Sequence, residues 1–174
     1  MKEYEFTLKF DFSDISINPE SFVDLLGRDG CDDALIGVGQ QGRIGLIFNR
    51  EAENALTAVC SAIEDVKRVI PEARLIEATP DFVGISDIAD ILGFSRQNMR
   101  KLLINNRASF PTPIHEGKAA IWHLSNVLSW CREGNRYQVS ESLQDVARAN
   151  MQLNIAKEIS NIDPLMNSQI NAVL

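Results

Sequence analysis

The stretch from Ser95 to Arg107, S-R-Q-N-M-R-K-L-L-I-N-N-R, carries amide and basic side chains at helical spacing. At about 100° per residue, Met99, Leu102 and Leu103 fall on one side. Gln97, Asn98, Lys101 and Asn105 fall opposite, on a face without an acid. Side-chain amides such as those of Gln97 and Asn98 can pair in two places with an adenine edge, and Lys101 can reach guanine acceptors. Arg96, Arg100 and Arg107 flank that face and suit phosphate oxygens, which orient a helix without reading sequence. A second pattern, G-V-G-Q-Q-G from Gly37 to Gly42, has the G-x-G-x-x-G spacing with which a strand-to-helix turn cradles a pyrophosphate. Which of the two is chemistry depends on the elements that hold them.

The chain opens with Y-E-F-T-L-K-F-D-F, which puts Phe6, Leu8, Phe10 and Phe12 on one face and Glu5, Thr7, Lys9 and Asp11 on the other, the alternation of a half-buried strand. N-P-E-S-F-V-D-L-L-G then reads as a helix capped by Asn18, with Pro19 in its first turn and Gly27 as terminator. D-A-L-I-G-V-G and R-I-G-L-I-F-N-R are two short strands, and E-A-E-N-A-L-T-A-V-C-S-A-I-E-D-V-K-R-V-I is a longer amphipathic helix ended by Pro71. A-R-L-I-E-A is a fourth strand. The order is βαββαβ, the pattern of ferredoxin-like domains, in which two helices cover one face of an antiparallel sheet. In this frame the glycines open a strand rather than a helix, so Gly39 to Gly42 are expected to form a hairpin turn and bind no phosphate. This first domain spans residues 1–80 and ends at Pro80 and Asp81.

From residue 82 the grammar changes. Ile85 leads into a short helix from Asp87 to Leu92, capped by Ser86, with Ile88, Ala89 and Leu92 inward. Gly93 makes a turn, Phe94 fills the gap, and Ser95 caps the second helix. F-P-T-P (Phe110 to Pro113), a strand ending in Ile121 and Trp122, and the helical L-S-N-V-L-S-W follow in order. Residues 82–132 resemble the winged helix-turn-helix of the MerR and AlpA-type, excisionase-like DNA-binding families. The resemblance implies a domain over residues 82–133, a wing at Phe110 to Trp122, and a second helix lying in the major groove. On that frame Ser95, Gln97, Asn98 and Lys101 are the expected base contacts, and Arg96, Arg100, Arg107 and Lys118, the last on the wing, the expected phosphate contacts. The chain departs from related wings at Ala119, Ala120 and Ile121, where an arginine often precedes the tryptophan.

A third segment, 139–174, holds a helix from Ser140 to about Ile159 whose stripe of Leu143, Val146, Asn150, Leu153 and Ile159 needs a partner, either its own domain or a second copy. Dimerisation is the favoured expectation, because a two-fold dimer doubles the phosphate contacts and reads an inverted repeat. The whole is thus expected to be α+β: a ferredoxin-like domain, a central winged helix-turn-helix and a C-terminal helix.

The formal charge of −7 conceals a split. Residues 1–81 hold 8 Lys and Arg against 16 Asp and Glu, whereas residues 82–132 hold 6 against 3. Basic surface is what phosphate requires, so DNA belongs to the middle segment and the acidic first domain suits a protein partner. Asp29, Asp32 and Asp33 read as loop and surface charge. Cys31, Cys60 and Cys131 form no C-x-x-C pair, which suits reduced thiols, and His115, His123 and Cys131 are too dispersed for a metal site. No apolar run reaches membrane-spanning length, and the N-terminus is unlike a signal peptide, so the cytoplasm is the expected compartment. No nucleophile, base and oxyanion donors stand together, so neither an enzyme nor a cofactor is expected. The expected function is sequence-specific transcriptional regulation through helix 95–105. The alternative is a protein-interaction adaptor or antitoxin-like protein whose first domain grips a partner.

Overall fold

The structure, a computed structural model, describes residues 1–12, 14, 16–133 and 136–174. The fold is α+β, with a four-stranded antiparallel sheet, a two-stranded sheet and seven α-helices among the described residues. Strand β1 (Lys2–Asp11) lies inside the larger sheet, whose order is β2 (Ala34–Gln40), β3 (Arg43–Ala52), β1, β4 (Arg74–Thr79). The alternation of β1 is carried through: Phe6, Leu8, Phe10 and Phe12 are at most 3% exposed, whereas Glu3, Glu5 and Lys9 face solvent. Helices α1 (Val23–Arg28) and α2 (Ala55–Val69) cover the apolar face, α2 through Ala58, Val59, Ala62 and Val66. Asn54 caps α2 by accepting the Thr57 N–H at 2.9 Å.

The glycine pattern becomes a hairpin. Gly37 and Gly39 lie within β2, Gly37 beside Gly45 of β3, and the turn is Gln41-Gly42 with Gly42 at φ +74°. The Asn18-capped segment begins as a 3-10 turn over Pro19–Phe22 before α1. Contrary to expectation, Gly27 lies inside α1 rather than ending it. The left-handed residue is Gly30, at φ +114°, where a Cβ would stand 2.9 Å from Asp65 Cγ. Asp33 is likewise more than surface charge. It takes a two-point hydrogen bond from Arg50 (2.7 and 3.0 Å), whose guanidinium also donates to Asp65, Ser61 and the Gly30 carbonyl at 2.8, 3.1 and 2.6 Å. Arg50 points to the covered face of β3, so its charge needs these partners to be stable there.

Beyond β4 the chain forms a second buried cluster. It is built from α3 (Ile85–Ile91), α4 (Arg96–Asn105) and α5 (Leu124–Arg132), with β5 (Phe82–Val83) paired to β6 (Trp122–His123). Helix α6 (Glu141–Ala156) joins the two clusters: Val146, Ala149 and Leu153 enter the sheet core, while Leu143 and Ala147 enter the second. The stripe expected to seek a second copy is therefore largely used within the chain. Polar groups fix the seam. Asn154 bonds both the N–H and the carbonyl of Ala78 (3.0 and 2.8 Å) and donates to Asp81 Oδ2 at 2.9 Å. The other Asp81 oxygen lies 2.8 Å from His123 Nδ1, and the Asp81 carbonyl accepts the Leu124 N–H at 2.7 Å. The last helix, α7 (Pro164–Asn171), buries none of its residues.

Candidate nucleic-acid interface

Helix α4 is positioned from both ends. Before it, the N–H of Gly84 donates to Asp87 Oδ2 at 2.7 Å, so Gly84 and not Ser86 caps α3, whose Ile88 and Ala89 are buried. The cap moves because Asp87 reaches back to the free N–H preceding the helix. Gly93 turns the chain at φ +71°, and the Phe94 N–H returns to the Ala89 carbonyl at 2.7 Å. Ser95 Oγ then accepts the Asn98 N–H at 3.1 Å, a cap worth about 1 kcal/mol. Met99 is fully buried against α3, contributing about 1.5–3 kcal/mol of burial, and Leu102 and Leu103 are half-buried beside it. After the helix, Phe110 packs edge-on to Trp122 and Trp130, with ring centroids 5.9 and 5.0 Å away. Trp122 Nε1 donates to the Pro111 carbonyl at 2.9 Å. Both tryptophans are core residues.

With the apolar side seated, Gln97, Lys101 and Asn105 point away from the core, and Arg96, Asn98 and Arg100 are exposed on its flanks. Arg107 is exposed just past the C-terminal turn. The Ser95 hydroxyl is exposed too, although its oxygen already accepts within the cap. Among the described residues none of Arg96, Arg100, Lys101, Arg107 and Lys118 takes part in an ion pair. The face is a set of unused hydrogen-bond donors and amides beside the positive end of a helix dipole.

One residue on this face is absent from the sequence-derived set. Ile104 is 66% exposed and follows Gln97 and Lys101 at the i, i+4, i+7 spacing of one helical line. Its position on the wheel was legible, but an apolar residue there is easily assigned to the core. An apolar side chain in a major groove meets the thymine methyl, the one apolar mark on a base edge.

The expected wing is much reduced. Its arms meet at a single bridge, His115 with Ile121, and the only regular strand is β6, displaced to Trp122–His123 and paired with β5. Pro111 and Pro113 lack the N–H a ladder requires, which limits pairing on that side. Lys118 sits exposed in the intervening loop together with Glu116.

His115, His123 and Cys131 do not assemble: His123 is engaged with Asp81, and Cys131 is buried, which pushes its thiol up to about 11. Among the described residues no three His, Cys, Asp or Glu side chains gather into a metal-binding group, and no helix is long and apolar enough to cross a membrane. No protein-family model, curated protein or solved structure matches the chain.

Proposed function

We propose that the protein binds double-stranded DNA through α4 and acts as a sequence-specific transcriptional regulator. The observation that carries this reading is α4 itself. A short capped helix, seated by Met99 on α3 across a glycine turn, turns Gln97, Lys101 and Ile104 outward with Arg96 and Arg100 along one flank, Asn98 and Asn105 along the other, and no acid. Gln97, Asn98 and Lys101 read base edges, and Ser95 adds its hydroxyl at the helix start. Ile104 rests on a thymine methyl, and Arg96, Arg100, Arg107 and Lys118 hold phosphates. In this reading residues 82–133 are a helix-turn-helix of the MerR and AlpA type with a vestigial wing. The order β2, β3, β1, β4 supports a ferredoxin-like reading of the first domain, whose acidity keeps it off the duplex and orients α4 toward it.

The test is a fluorescence anisotropy titration against duplexes selected from a random library and against the DNA upstream of the coding sequence, with Gln97→Ala/Lys101→Ala in parallel. Tight binding that resists non-specific competitor and is lost in the double variant is the expected result. No binding, or binding the variant leaves unchanged, removes α4 as the reading element. A second reading, a protein-interaction adaptor or antitoxin-like protein, is favoured by α7, where Leu165, Met166 and Ile170 are exposed at 80%, 63% and 49%. An apolar helix of that kind is what a protein partner covers.

A further inference from the structure

The larger sheet has two edges, and they are treated differently. At β4 the side-chain amide of Asn154 accepts the Ala78 N–H at 3.0 Å and donates to the Ala78 carbonyl at 2.8 Å, the two bonds a neighbouring strand would make. That strand also carries Arg74 and Glu77, charges that discourage pairing. At the opposite edge β2 reads A-L-I-G-V-G-Q, with neither a charge nor a proline.

The backbone of β2 shows which of its groups are free. The Asn49 N–H donates to the Asp33 carbonyl at 3.0 Å, and the register pairs Leu35 with Ile47 and Gly37 with Gly45. Hydrogen-bonding direction alternates along an antiparallel strand, so Asp33, Leu35 and Gly37 point their polar groups at β3 and Ile36 points its own outward; Val38 follows Gly37 at the start of the register shift that separates Gly37 from Gln40, and takes the outward direction there. Among the described residues no backbone partner from elsewhere in the chain meets Ile36 or Val38.

We propose that β2 pairs antiparallel with β2 of a second copy, about a two-fold axis at Gly37. In this register Ile36 stands opposite the second copy's Val38, and the two exchange both N–H···O bonds. The symmetry repeats the exchange on the other side of the axis. Gly37 meets its own copy as a close, non-hydrogen-bonded pair, which the absence of side chains permits. Leu35, 70% exposed on the open face, lies beside the second copy's Gly39, where a Cβ would find nothing within 4 Å.

A second copy is the occupant for three reasons. An isologous contact must be self-complementary, and this strand matches itself in reverse, outward groups to outward groups. Self-association elsewhere on residues 1–81 brings together surfaces with 16 acids against 8 bases, whereas β2 brings no charge to the axis. The product is a continuous sheet whose two outer edges are both β4, each capped at Ala78 by Asn154 and carrying the charges of Arg74 and Glu77. The seam does not rest on DNA binding. Where both hold, the dimer carries two copies of α4.

The test uses the full chain. Sedimentation velocity over a concentration series should show a monomer–dimer equilibrium. Val38→Pro removes an outward donor, and proline is tolerated on a strand edge whose N–H faces solvent, so the variant should keep its circular dichroism melt and weaken the dimer about tenfold or more. Gly37→Cys in a Cys60→Ser background reports the register without a proline. Two such residues face each other with Cα atoms about 4.5 Å apart, inside the range a disulfide spans. The position has room, since a Cβ at Gly37 meets nothing nearer than the Gly45 carbonyl at 3.7 Å. Mild oxidation should link this variant into a covalent dimer, whereas Gly39→Cys should stay unlinked. A wild-type chain that is monomeric throughout overturns the seam, as does a dimer that Val38→Pro leaves intact and Gly37→Cys fails to link. DNA titration separates the two proposals, because a monomer that binds DNA removes only the seam and a dimer that binds none removes only the DNA reading.

Discussion

Salt dependence offers the most quantitative check on α4. Four exposed cations, Arg96, Arg100, Arg107 and Lys118, are assigned to phosphates, and none is tied up in an ion pair among the described residues. Each phosphate neutralised releases condensed counterions, giving a slope of log affinity against log salt of about −0.9 per contact. Four contacts predict about −3.6 per protomer, so raising salt from roughly 50 to 200 mM should weaken one protomer's binding roughly 150-fold. Two protomers on one duplex should give a slope of about −7. Arg100→Ala should bring the single-protomer slope to about −2.7 and weaken all sequences alike. Gln97→Ala should leave the slope alone and cost about 1–3 kcal/mol on the preferred sequence only. Anisotropy titrations at several salt concentrations, on preferred and scrambled duplexes, measure all of these. A flat salt response, or a Gln97→Ala loss that is equal on both duplexes, refutes the division of α4 into reading and positioning residues.

Other expectations concern the frame that holds α4. Asn154→Leu leaves the N–H and carbonyl of Ala78 and one Asp81 oxygen without partners at a buried site, and at about 1–3 kcal/mol per group urea unfolding should show a loss of about 3–9 kcal/mol. Arg50→Met strands Asp33, leaves Asp65 with Arg68 alone, and should cost about 3–5 kcal/mol by the same assay; an unchanged midpoint would mean that the guanidinium is dispensable. Burial, with the Asp65 carboxylate adding to it, pushes the Cys31 thiol up to about 11, and burial does the same to Cys131. A raised thiol pKa keeps the unreactive neutral form through pH 8, so iodoacetamide should modify only Cys60 in the native protein and all three cysteines in urea.

Local pattern made the strands and the outward face of α4 legible. Alternation in β1 and the Met99, Leu102, Leu103 side of α4 are properties of neighbouring residues, and the period of each element turns them directly into faces. The cap at Ser95 and the turn at Gly93 were legible for the same reason. The cap of α3 was not, because Gly84 and Ser86 are both acceptable there and Asp87 decides between them by reaching back. Ile104 was legible as a position and missed as a residue, since an apolar type implies burial until the surrounding packing leaves it exposed.

Pairing over distance was beyond reach of the sequence. Periodicity stated that α6 buries a stripe, but a stripe does not name what covers it. Two cores took Val146 and Ala147 from adjacent positions, and Asn154 found the β4 edge 76 residues away. Arg50 could be placed on a strand but not joined to Asp33 and Asp65, which the chain delivers only when β3 and α2 pack. The sequence by itself determined the elements, the polarity of their faces and the segregation of acidic from basic segments, because these follow from side chains within a turn or two of one another. Tertiary structure alone decided which edge of the sheet is closed, which apolar stripe is spent inside the chain and which remains open. Those outcomes depend on unsatisfied backbone groups and exposed surface meeting partners remote in sequence, and such a meeting has no local signature.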